Sequence, residues 1–108
     1  MNIGLANQIY NEIKDTKLQH LLDDLIEYAI RYSRIRTDYY LLSVKEKMEK
    51  ESSRTSAHNV FIDCCNILSR NMLKNGEDNS WRKKLGTDRK EIGDFACYLH
   101  CILGIMAR

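Results

Sequence analysis

Proline is absent from this chain of 108 residues, and glycine occurs only five times. Because these two residues disturb a helix most, long helices can continue through most of the sequence. The longest nearly continuous apolar stretch, residues 95–107, is shorter than the roughly 20 residues that cross a bilayer as a helix. The first ten residues lack the basic start and apolar core of a signal peptide. We therefore expect a cytoplasmic protein that does not insert into a membrane.

The signatures of the common enzyme classes are also missing from the sequence. It contains no phosphate-binding loop, no dinucleotide fingerprint, no paired-histidine zinc motif and no nucleophile elbow. Asp23 and Glu27 stand one helical turn apart, but they lie in an acidic stretch and are expected to be a surface feature. We therefore predict a protein that is not an enzyme and binds no cofactor.

The composition that remains is that of one globular domain. Apolar residues make up 44% of the chain and charged residues 30%, which is typical of folded proteins. A chain of this length suits a single helical domain that spans residues 1–108. The net charge is only +2, yet residues 1–30 hold five acids against two lysines. This asymmetry favours charge pairing within the protein or with a partner over binding to nucleic acid.

Apolar residues recur at helical spacing along most of the chain. A first helix is predicted over residues 3–13, and Thr16 with Gln19 has the spacing of a capping box that starts a second one. The apolar stripe of the second helix extends to about Met48. Two interpretations remain open for this stretch, namely one continuous helix or two helices with a break near Arg36–Asp38.

A third helix is predicted over residues 53–74, with Ser53 at its start and Asn75-Gly76 as its stop. About one and a half turns follow at 80–86, and Asp88 caps a last helix that runs to the C-terminus. The expected core face of the third helix consists of Ala57, Val60, Phe61, Cys64, Leu68 and Met72.

The last helix is apolar on nearly every side, so it must be buried. In a chain of this length only other helices can bury it. We therefore predict an all-α fold, an antiparallel four-helix bundle with a short additional helical turn near residues 81–85. The last helix should be its most buried element. Small residues such as Gly93 and Gly104 should let a neighbouring helix approach its backbone.

Arginine and tyrosine alternate along the second half of the long apolar stripe. This pattern can bind phosphates and stack bases, but it equally suits packing and salt bridges to the acidic first third of the chain. Arginine and aromatic side chains also dominate the energetics of protein interfaces. The predicted contact residues are Arg31, Arg34, Arg36, Tyr39 and Tyr40, with Trp81 as an anchor.

Residues 81–95 have some features of a DNA-binding helix-turn-helix. Ile92 and Phe95 stand four and seven positions after the polar cap Asp88, as that motif requires. Arg82, however, occupies a position where the motif normally has a small residue. A DNA-binding regulator is therefore one alternative function. The residues that would then face the DNA are Arg89, Lys90 and Asp94.

A metal-binding bundle is a second alternative. Cys97 and Cys101 lie one turn apart on the last helix, and Cys64 or Cys65 with His58 could approach from the third. Zinc prefers four such ligands in a tetrahedron. No CxxC pair occurs, however, and reduced cysteine packs well as a small apolar residue. Core packing is therefore the main expectation, with no bound metal.

Two segments, SWRKKLGTDRKEIGDFA at 80–96 and HNVFIDCCNILSR at 58–70, resemble the core of an uncharacterised all-helical protein family of Gram-positive bacteria. This resemblance covers about the last half of the chain and implies a helical fold without known chemistry. In size and organisation the chain is also similar to bacteriocin immunity proteins, which are small cytosolic helical bundles. Together these observations predict a non-catalytic bacterial protein that works by macromolecular interaction, as a homodimer or with a protein partner.

Overall fold

The computed structural model describes residues 3–103, which contain five α-helices and no strand. The predicted all-α fold is therefore confirmed for this part of the chain. The helices are α1 (Ile3–Ile13), α2 (Gln19–Tyr40), α3 (Val44–Lys74), α4 (Trp81–Leu85) and α5 (Arg89–Leu103).

Helix α2 lies between α3 and α5 and runs antiparallel to both. The Tyr39 hydroxyl donates a hydrogen bond to Glu51 of α3, and the Tyr32 ring stacks on the Phe61 ring. Later residues of α2 therefore lie beside earlier residues of α3. In the same way, later residues of α2 lie beside earlier residues of α5. Around the core the helices follow the order α3, α2, α5, α1, α4, and α4 closes the ring against α3. This five-helix ring does not by itself confirm a four-helix bundle.

The break in the long apolar stripe lies at residues 41–43, which is later than the predicted break near Arg36–Asp38. Helix α3 therefore begins at Val44 and not at Ser53. Ser43 has an extended backbone, and its hydroxyl accepts a hydrogen bond from the Glu46 amide at 3.3 Å, which caps α3. The first two turns of α3 are largely exposed, and their apolar Val44 and Met48 continue the spacing of the earlier stripe, so the sequence pattern did not reveal a new helix here.

The predicted stop of α3 and the predicted start of α5 are confirmed, whereas the predicted end of the last helix at the C-terminus lies outside the described residues. Gly76 adopts φ +76°, and the Glu77 amide donates to the Met72 carbonyl at 2.8 Å, which is the Schellman geometry that ends α3. At the start of α5 the Asp88 carboxylate accepts from the amides of Lys90 and Glu91 at 2.8 and 3.2 Å.

The core lies where all five helices meet. Residues 92–96 of α5 are all buried, as expected for a helix apolar on every side. On α3, Phe61 is buried as predicted, but Val60 is 39% exposed and Cys65, not Cys64, is the fully buried thiol. The largest side chains sealed in this core are Trp81, Tyr32, Phe61, Phe95, Ile9, Ile13, Leu25, Leu68, Ile92 and Leu99.

Within residues 3–103, no helix combines the length and the apolar character that crossing a membrane requires. The predicted close approach at Gly104 lies outside the described residues. At Gly93 the close neighbour is a side chain, since a Cβ there would lie 2.6 Å from Nε of Arg36.

Candidate binding surfaces on helix α2

The arginines and tyrosines of α2 divide between two sides of the helix. Tyr32, Arg36 and Tyr40, spaced four residues apart, lie on the side that faces α5. Arg31 and Tyr39 lie on the other side, in a groove between α2 and α3. The sequence predicted these residues as one set, whereas the fold assigns them to two separate surfaces.

The surface on the α5 side is a cleft of about 300 Å³, which we call the basic cleft. Its lining comes from α2, α3 and α5. The lining residues are Tyr32, Arg36, Tyr40, Arg54, Arg89 and Lys90. Arg54 was not among the predicted site residues, because nothing in the sequence relates it to Arg36 before the chain folds.

Each arginine of the basic cleft is held by contacts with the protein. Arg36 crosses Gly93, lies 3.9 Å from the Asp94 carboxylate and places its guanidinium 5.4 Å from the Tyr40 ring centroid. Arg54 donates to Glu51 at 2.8 Å. These contacts restrict the side chains before any ligand arrives, and such preorganisation lowers the entropy lost on binding.

Glu51 connects the two surfaces of α2. Its carboxylate accepts a hydrogen bond from the Tyr39 hydroxyl at 2.7 Å and lies 3.9 Å from the Arg89 guanidinium. The hydrogen bonds from Tyr39 and from Arg54 hold the pKa of the Glu51 carboxyl below its usual value. Glu51 is therefore charged at neutral pH and fixes Arg54 beside the basic cleft.

Burial changes the ionisation of two rings beside the basic cleft. It raises the pKa of the Tyr32 hydroxyl, although the charges of Arg36, Arg89 and Arg54 act in the opposite direction. Burial lowers the pKa of His58, whose ring packs edge-on against Tyr32 at 5.5 Å. At neutral pH both rings are therefore uncharged, and the fixed charges of the site belong to the arginines, Lys90 and their carboxylate partners.

The groove between α2 and α3 is the second surface. One part, of about 390 Å³, is lined by Arg31, Ile35 and Val60 with their neighbours. A second part, of about 270 Å³, continues past Ile35 to Tyr39 and Leu42. Arg31 is exposed, pairs with Glu27 at 2.9 Å and lies over the Tyr28 ring. Small and apolar side chains line much of this groove, so another helix could approach it closely.

Two of the predicted contact residues take other positions. Trp81 has no exposed surface, so it stabilises the core and is inaccessible as an anchor for a partner. Arg34 is exposed on α2 and lines neither the basic cleft nor the groove.

The packing of α5 disfavours the helix-turn-helix interpretation. Asp94, expected to face DNA, is buried and lies near Arg36. Arg89 donates to the Thr55 hydroxyl at 3.0 Å. Because residues 92–96 are all buried, α5 has no free face over this stretch to enter a major groove.

The cysteines do not form a metal site in the structure. Within residues 3–103, no group of three or more His, Cys, Asp or Glu side chains is placed to hold a metal ion. Cys97 instead accepts long hydrogen bonds from Ser33 and Arg36, both at 3.5 Å. Burial raises the pKa of the Cys65 thiol to about 12.

The thiol environments predict an order of reactivity. In the native protein we expect iodoacetamide to modify the exposed Cys101 first and to leave Cys65 unmodified, because the thiolate is the nucleophile. Mass spectrometry of peptides from native and denatured samples measures this order. Equal modification of both cysteines in the native protein would contradict the buried placement of Cys65.

Comparison with known proteins found no match among protein-family models, curated proteins or solved structures. The resemblances to a Gram-positive helical family and to bacteriocin immunity proteins therefore stay predictions. Function has to be inferred from the geometry of the chain itself.

Proposed function

We propose that this protein acts by binding rather than by catalysis, and that its interaction surface is the free end of the α2–α3 hairpin together with the adjoining groove. The partner we propose is a second copy of the chain. The scaffold behind this surface is formed by α1, α2, α3 and α5, which we propose to describe as a four-helix bundle with α4 as the additional turn.

The observation that carries the proposal is a group of exposed apolar side chains at the hairpin end, which we define as residues 40–50. Tyr40, Leu41, Val44 and Met48 are 54%, 82%, 79% and 77% exposed. Isolated exposed apolar residues are common, but neighbouring ones indicate an interaction surface. Helix α5 begins at Arg89, beside Glu51 and Thr55 of α3, so it does not extend over the hairpin end.

The charges around these apolar residues suit a second copy. Within the first two turns of α3, Lys45, Lys47 and Lys50 alternate with Glu46 and Glu49. In a two-fold dimer each residue faces a different residue of the same patch, so a surface with alternating signs can pair with itself. A surface of one sign would repel its own copy.

The size of a stable interface indicates that the groove takes part. A standard interface buries about 800 Å² on each partner, which is more than four side chains provide. The α2–α3 groove adjoins the hairpin end through Tyr39 and Leu42, and it continues to Arg31. Arg31 and Tyr39 were predicted as contact residues, and in this proposal they line the groove that extends the surface from the hairpin end.

The test is a measurement of mass in solution for two charge variants of one helix. Met48→Glu should convert the dimer to a monomer, because the new carboxylate would be desolvated at the interface. Leu73→Glu is the matched control, since Leu73 is 63% exposed at the opposite end of α3. We expect it to remain dimeric in light scattering or sedimentation equilibrium.

Two outcomes would overturn the proposal. The unmodified chain could remain monomeric up to high micromolar concentration, which would exclude a second copy as the partner. Alternatively, Leu73→Glu could dissociate the dimer as fully as Met48→Glu, which would place the interface elsewhere. Circular dichroism of both variants checks that each retains its helices.

A further inference from the structure

We propose that the basic cleft between α2, α3 and α5 binds a phosphomonoester dianion, as inorganic phosphate or as the phosphate group of a small organic molecule. This site is separate from the proposed dimer surface, which uses the hairpin end and the opposite side of α2. Only Tyr40, at the rim, belongs to both.

The charge of the basic cleft matches such a ligand. Its lining carries four cations, namely Arg36, Arg54, Arg89 and Lys90. Two carboxylates partner them, Glu51 and Asp94. The remaining excess is two positive charges, and a phosphomonoester carries about −1.5 to −2 at neutral pH.

The arginines retain hydrogen-bond donors for an anion. The ion pairs of Arg36 with Asp94 and of Arg89 with Glu51 both measure 3.9 Å, which is too long for a hydrogen bond. A guanidinium has five N–H donors, and these contacts leave most of them unused. An arginine with unused N–H donors is well suited to bidentate binding of phosphate oxygens.

Buried polar atoms beside the basic cleft also lack partners. The Tyr32 hydroxyl and Arg54 Nε are buried without a well-formed hydrogen bond among the described residues. Arg89 is near enough to Tyr32 to affect its ionisation, but not in regular hydrogen-bond geometry. Tyr32 is the one lining residue with no exposed surface, so it forms the base of the cleft. Leaving such groups unpaired is costly, and an anion at the base would accept from them.

Gly93 gives the basic cleft part of its shape. A Cβ at this position would lie 2.6 Å from Nε and 2.9 Å from Cζ of Arg36. Glycine therefore lets the Arg36 guanidinium cross α5 in its present position, from which a Cβ would displace it. This explains a glycine inside α5, where alanine would favour the helix more.

The confinement of the positive charge favours a small phosphate over nucleic acid. A nucleic-acid backbone presents one phosphate after another, and proteins bind it along an extended basic surface. Here the excess charge lies within one cleft of about 300 Å³, and the neighbouring hairpin end alternates in sign. Stronger binding of a phosphodiester than of a phosphomonoester is therefore one of the results that would contradict the proposal.

The test is an NMR titration of the full chain with inorganic phosphate and with phenyl phosphate, at constant ionic strength and above the phosphate pKa of about 6. The arginine Nε–Hε signals report on the cleft directly. We expect saturable shifts for Arg36, Arg54 and Arg89, and none for Arg34. Tighter binding of phenyl phosphate would identify an organic phosphate as the ligand, and equal affinity would identify the free ion.

A matched pair of variants distinguishes binding in the basic cleft from general electrostatic attraction of phosphate to the protein surface. Arg89→Gln and Arg34→Gln remove the same charge, but only Arg89 lines the basic cleft. We expect Arg89→Gln to weaken binding about tenfold and Arg34→Gln less than twofold, since one charge-assisted contact contributes about that factor. Equal loss in both variants, or stronger binding to a single-stranded oligonucleotide, would overturn the proposal.

Two further variants test the geometry without changing charge. Tyr32→Phe removes only the hydroxyl at the base of the cleft, and Gly93→Ala displaces the Arg36 guanidinium. Both should lower phosphate affinity while thermal unfolding shows that the fold is retained. Unchanged affinity in both folded variants, or no saturable shift with either phosphate compound at millimolar concentration, would overturn the proposal. Neither result depends on the oligomeric state of the chain.

Discussion

Trp81→Ala is expected to lower the free energy of unfolding by about 3–5 kcal/mol, as large core truncations of aromatic residues do. Trp81 is the one tryptophan of the chain and is fully buried. It belongs to α4, a helix of five residues, which is too short to be stable without tertiary contacts. Loss of the indole should therefore detach α4 from α1 and α3 and open one end of the core.

Trp81→Phe is the control for this prediction. The indole Nε1 is buried without a hydrogen-bond partner among the described residues, so phenylalanine would remove an unsatisfied donor while retaining most of the apolar contact. We expect it to cost much less than alanine. Urea unfolding followed by circular dichroism measures both variants without relying on tryptophan fluorescence. Equal losses would show that the shape of the indole, and not burial alone, holds α4.

Phe61→Ala is expected to have an effect of similar size, about 3–5 kcal/mol in the free energy of unfolding. The Phe61 ring lies 6.2 Å from the Tyr32 ring and 6.0 Å from the Phe95 ring, so it joins α3 to both α2 and α5. Aromatic pairs at this separation contribute beyond the burial of their area. Truncation would leave a cavity at the meeting point of the three longest helices.

Val60→Ala is the matched control for Phe61, one residue earlier on the same helix. Val60 was predicted to face the core, but it is 39% exposed, so we expect a loss below about 1 kcal/mol. Chemical denaturation of the two variants compares the two positions directly. A loss at Val60 as large as that at Phe61 would mean that α3 is rotated relative to the described structure.

The local signals of the sequence predicted the stop of α3 and the start of α5, but the capping box expected at Thr16 is not formed, because Leu18 is the N-cap of α2. Gly76 ends α3 because its positive φ suits glycine, and Asp88 starts α5 because its carboxylate accepts from two free amides. The turn at residues 41–43 was misplaced, since the apolar Leu42, Val44 and Met48 continued the stripe of α2. Val44 and Met48 are 79% and 77% exposed, so this stripe did not mark a core face there.

The sequence by itself determined the all-α class, the burial of residues 92–96, the stop of α3 and the cap of α5. These properties depend on residues within one or two helical turns of one another, so their pattern can be interpreted without the fold. Only the tertiary structure decided which arginines share a cleft. Arg36, Arg54 and Arg89 come from three helices and are brought together because α2 packs antiparallel to both α3 and α5. The same packing placed Trp81 inside the core and left the hairpin end uncovered.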